Sequence, residues 1–102
     1  MGMSVYMKRA YVAAEAFDKT LTASSFGSGK FVMVQADDGS SFFFRDAIVY
    51  LWKDPEYVPN RINECYMVFT EHYGFHVYNV DDYNVFQLKH QVVNFLPTTT
   101  TE

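Results

Sequence analysis

The chain has 102 residues, a formal net charge of −4 and a pI near 5.2, which suits one domain and excludes an array of them. Its residues are 49% apolar and 20% charged, a globular and not a disordered composition. The charge balance disfavours nucleic acid and anionic membranes as partners, because both need Lys/Arg clusters and the longest cationic run is Lys8-Arg9.

Residues 4–19 read as a helix, with Ser4 as N-cap and Tyr6, Ala10, Ala13 and Phe17 at helical spacing. Ser24-Ser25-Phe26-Gly27-Ser28-Gly29 reads as a loop. Gly27-Ser28-Gly29-Lys30 lacks the spacing of a phosphate loop and leads into an apolar run, not a helix. Two strands follow, Lys30 to Gln35 and Ser41 to Arg45, joined by Ala36-Asp37-Asp38-Gly39, where glycine supplies the positive φ a tight hairpin needs. Asp46 is the expected N-cap of a short helix marked by Ala47, Ile48, Leu51 and Trp52, which ends before Pro55. Pro55 to Asn60 reads as a loop.

A second hairpin joins Cys65–Phe69 to Phe75–Tyr78 around Glu71-His72-Tyr73-Gly74. Asp81 or Asp82 is then expected to cap a last helix, with Val85, Leu88, Val92, Phe95 and Leu96 on one face and Pro97 as its stop. The expected fold class is α+β: an antiparallel sheet of two β-hairpins with three helices, in the order α-ββα-ββα. Residues 1–97 form the domain, and the low-complexity residues 98–102 form a frayed tail. Residues 31–46 align without gaps on residues 66–81, the register an internal ββα duplication would leave.

Neither Phe42-Phe43-Phe44 nor Met67-Val68-Phe69 shows the apolar–polar alternation of a half-solvated strand. Both sheet faces therefore need cover, and three helices with one short are little to supply it. A homodimer or a protein partner is the expected remedy, and a monomer with a complete but uneven core is the alternative.

The chemistry-bearing residues do not assemble into a catalytic set. His72 and His76 with Glu71 are weak metal candidates, since glycine lies between the histidines and a further ligand is wanting. Cys65 begins an apolar strand, where a buried and inert thiol is the usual state. Asp37-Asp38 and Asp81-Asp82 stand where Asp serves turns and caps. No cofactor is implied. Trp52, Tyr57 and Arg61 around the Pro55–Pro59 loop, with Phe43 and with Tyr73 at the second turn, are the interface candidates, because Trp, Tyr and Arg carry disproportionate binding energy. Aromatic residues are 19% of the chain, an excess that favours contact surfaces.

The reading that follows is a small non-enzymatic protein-binding module or inhibitor acting by occupying a partner's surface, of the kind a phage or other mobile element carries as an accessory protein. Two alternatives stand beside it: a small-molecule-binding or hydrolytic domain with a pocket near His72 and His76, and a self-assembling structural subunit. One cysteine and no apolar leader point to the cytoplasm, bacterial or host, and no 18-residue apolar run suggests a membrane span.

Overall fold

Alanine sets the position of the N-terminal helix. In the computed structural model, which describes residues 5–26, 30–55 and 64–88, α1 spans Val5–Asp18 and α2 spans Ala23–Phe26. Ala10 and Ala14 are fully buried, and their small side chains let the α1 backbone come close to a sheet. Ala13 is half-buried and Phe17 remains 38% exposed, so the buried stripe is narrower than the spacing implies. The helix unwinds through tighter bonds, Thr20 N to Phe17 O at 2.9 Å and Leu21 N to Asp18 O at 3.1 Å.

Six strands follow: β1 Phe31–Ala36, β2 Ser41–Arg45, β3 Ala47–Lys53, β4 Glu64–Thr70, β5 Gly74–Asn79 and β6 Tyr83–Leu88. They form two three-stranded antiparallel sheets, ordered β2-β1-β6 and β3-β4-β5. Both expected hairpins are present. In the first, Gly39 adopts φ +94°, and the Asp38 carboxylate accepts from the Ser40 amide (2.9 Å) and hydroxyl (2.7 Å). Those bonds, the Ser40 hydroxyl foremost, hold the Asp38 carboxyl below its ordinary range. In the second, the buried Thr70 hydroxyl donates to Gly74 O and accepts from the Tyr73 amide, each at 2.8 Å.

Two expected helices are not helices where the chain is described. Residues 47–53, read as a short helix, are strand β3. Asp46 starts no helix: it takes φ +52°, its amide donates to Lys30 O at 2.7 Å, and its carbonyl accepts from the Glu71 amide at 3.3 Å. Ala47, Ile48, Leu51 and Trp52 fit helical spacing, but Ile48-Val49-Tyr50-Leu51-Trp52 is also β-branched and aromatic. In so short a run the pairing with β4 decides. The expected last helix begins instead as β6, which pairs with β1 along its length. Asp81 and Asp82 lie in the turn before it, where Asp82 accepts from the Asn79 amide group at 2.9 Å. Val92, Phe95 and Leu96 lie outside the described residues.

The chain path repeats as βββ instead of ββα. In each half a hairpin is followed by a strand that crosses to the other sheet: β3 pairs with β4, and β6 returns to β1. The gap-free register does not survive. Gln35 pairs with Ser41 in one hairpin, whereas Thr70, its aligned counterpart, pairs with Gly74 in the other, the residue aligned with Gly39.

These crossings stack three layers. Between the sheets Val32, Val34, Ala47 and Val68 are buried, with Phe44, Val49, Tyr78, Tyr83 and Val85 against them. On the other side of the second sheet, Ile48, Cys65, Met67, Phe69 and Val77 pack with Ala10, Ala14 and Phe26 of the helices. The strand β4 is buried on both faces, which explains why its sequence does not alternate.

Candidate functional site

Strand parity decides what the outer face of the first sheet presents. Val32 and Val34 point inward, so Phe31 and Met33 point outward. Met33 pairs with Phe43 on one side and Phe86 on the other, giving a cross-strand row of Phe43, Met33 and Phe86. Phe43 is 44% and Phe86 43% exposed. Phe31 and Arg45 form the next row, with the Arg45 guanidinium carbon 5.9 Å from the Phe31 ring centre. Gln35, Ser41 and Asn84 form a polar row at the other end.

At one corner this face meets the second hairpin. Phe31, Phe43, Phe44, Arg45, Tyr73 and His76 line a cavity of about 590 Å³ there. The corner joins two interface candidates, Phe43 and Tyr73, with one of the metal candidates. The His76 ring lies 4.7 Å from the Phe44 ring, and its Nε2 is buried with no hydrogen-bond partner among the described residues. His72 points elsewhere, exposed in the turn, with Nε2 3.7 Å from the Glu71 carboxylate. Among the described residues no group of three His, Cys, Asp or Glu side chains could hold a metal ion.

Trp52 belongs to a different surface. It is half-buried against the helix-side core and lines an apolar groove of about 410 Å³ between α1 and β3. Tyr57 and Arg61 lie outside the described residues. No helix among the described residues is long and apolar enough to cross a membrane.

Three residues escaped the sequence reading. Asp54 is fully buried and gripped by both branches of the Arg9 guanidinium, Nε to Oδ2 and Nη2 to Oδ1 at 2.8 Å. An acid beside Pro55 and a base beside the Ala10 stripe were the available signal, but their separation along the chain hid the pair. Met33 and Phe86 were missed as surface residues because the face of β1, and the very existence of β6, depend on pairings made at long range.

Cys65 is chemically quiet. It is fully buried with Sγ 3.7 Å from Met7 Sδ. Burial first, and the Asp54 charge second, push its thiol from 9.0 up to about 11. The folded chain therefore keeps this proton over a range in which the unfolded chain has lost it. The stability that goes with the protonated thiol is intact below pH 9 and is lost as the pH climbs through about 11. The expected loss approaches about 1.4 kcal/mol per pH unit inside that window. Urea unfolding at stepped alkaline pH, compared between the native chain and Cys65→Ala, checks this: the Ala variant should show the shallower decline.

Comparison of the chain with protein-family models, with curated proteins and with solved structures finds no significant match.

Proposed function

We propose that the chain is a small non-enzymatic protein-binding module, acting as an inhibitor or accessory factor by occupying a partner's surface. One observation carries this reading: the outward row of Phe43, Met33 and Phe86, with Phe31 and Arg45 beside it and Tyr73 at its corner. Tyr73 is 72% exposed, and the two exposed Phe of the row sit mid-strand, not at frayed ends. Full burial of one such side chain is worth about 1.5–3 kcal/mol, so a few of them, half-buried already, supply the centre of an interface. The polar row at the far end and Arg45 at the near end give it a rim.

The test is affinity capture by the full tagged chain, with variants chosen by face. Phe43→Ser and Phe86→Ser should each abolish capture of a specific protein, whereas Glu15→Ser, at an exposed position of α1, should leave it intact. Capture that survives both Phe substitutions would refute the reading. Sedimentation of the chain alone separates a foreign partner from a second copy of itself.

A second reading rests on the corner cavity and the unpartnered His76 Nε2. A concave, largely aromatic site with a few polar groups, here Arg45, Tyr73 and His76, is the usual form of a small-molecule pocket. Ligand-induced shifts in the melting temperature that vanish in His76→Phe would favour it over the protein-binding role.

A further inference from the structure

We propose that the groove between α1 and β3 is a second and separate binding site, which takes an extended peptide segment bearing a large apolar side chain and an acidic residue. The helix α1 packs mainly over β4 and β5; at β3 it reaches Ile48 in the core and meets Tyr50 through the Phe17 ring at 5.1 Å, and a groove stays open beside that contact. Along β3, Tyr50 is 46% and Leu51 58% exposed, and with Trp52 they line the groove beside Ala13 and Phe17. Its volume of about 410 Å³ and its almost wholly apolar lining suit one or two large side chains.

The form of the occupant follows from the strand. β3 is an edge of its sheet, and among the described residues no strand hydrogen-bonds to its outer side. An edge of unpaired N–H and C=O groups is matched by another extended chain, whose alternate side chains then point to one face. Here that face is the groove, so every second residue of an added strand would enter it. A helix laid in the same place would leave the edge unmatched. A second copy joined only through β3 would bury the width of one strand, well short of the ~800 Å² per partner of a stable dimer.

Charge gives the segment its polarity. The groove continues, through Ala13 and Trp52, into a cleft lined by Lys8, Arg9 and Val12. The Arg9 charge is matched by Asp54, and Lys53 lies 3.7 Å from Glu64. Lys8 adds a positive charge at this end of a chain whose net charge is −4. An acidic residue flanking the apolar anchor is the complement.

A random heptapeptide library displayed on phage, panned against the full chain, is the probe. Selected sequences should alternate large apolar residues, carry Asp or Glu at one end and lack central proline. Synthetic versions should change the emission of Trp52, the single tryptophan of the chain. Ala13→Phe, which fills the groove, should weaken them by about tenfold or more. Lys8→Glu, which leaves the packing alone, should weaken the acidic peptides several-fold and remove their salt dependence. Phe43→Ser should change nothing, so this site and the outer sheet face fail or succeed independently. The proposal is overturned by no enrichment above an unrelated protein, or by selected peptides indifferent to Ala13→Phe and Lys8→Glu. It is equally overturned by dimerisation that Leu51→Lys abolishes, or by peptide binding that appears only after removal of residues 89–102.

Discussion

Arg9→Ala is expected to destabilise the protein by about 3 kcal/mol, at the lower end of the ~3–5 kcal/mol that follows loss of one partner from a buried pair. The Asp54 side chain is fully buried and held by two guanidinium branches, whereas Arg9 keeps 34% of its side chain exposed. Removal of the guanidinium takes the opposite charge and two hydrogen bonds from a carboxylate that stays buried, so most of the cost is desolvation no longer offset. Removal of the carboxylate strands a cation that can still reach water, so Asp54→Ala should cost less. The double variant Arg9→Met with Asp54→Leu should recover much of the loss, since buried ion pairs exchange with apolar groups at little cost. Urea unfolding followed by circular dichroism measures all three. Equal losses in both single variants would show that the asymmetry of burial does not govern the pair. The pair ties α1 to the end of β3, so its loss should also loosen the wall of the Trp52 groove.

Phe69→Ala should cost about 3–5 kcal/mol, the range for a fully buried aromatic cut back to a methyl group. Phe69 is 0% exposed. Its ring lies 5.2 Å from Phe17, 6.0 Å from Tyr50 and 6.4 Å from Phe75, so it joins α1, β3 and β5 around the central β4. The first two contacts are edge-to-face, which adds to the area buried. In a domain of this size that loss lowers Tm by roughly 4–8 °C per kcal/mol. Phe69→Leu should cost much less, because the core keeps most of its filling. Tyr73→Ala, at an exposed turn, should lie within about 0.5 kcal/mol of the native chain. A small effect of Phe69→Ala would mean that this aromatic cluster is not the main support of the second sheet.

Turn chemistry carried the hairpins. Asp38-Gly39 and the Gly74 turn act through φ and through bonds between near neighbours, so they could be read from adjacent residues. The same holds for α1, whose alanines favour a helix whatever lies beside it. The misreadings share one cause. Residues 47–53 and 83–88 are short apolar runs whose spacing suits either a helix face or a strand. The choice was made by β4 and β1, which lie far along the chain. The surface candidates divide in the same way: Tyr73 is exposed because it caps a turn, whereas Phe86 is exposed because β6 crossed between sheets and turned one face outward.

By itself, then, the sequence determined the α+β class, both hairpins and the first helix. Only the tertiary structure decided that two sheets form instead of one, that Arg9 meets Asp54, and which aromatic residues stay at the surface. The physical reason is that local preferences act over a few bonds, while strand pairing and burial are settled between segments that meet only when the chain closes on itself.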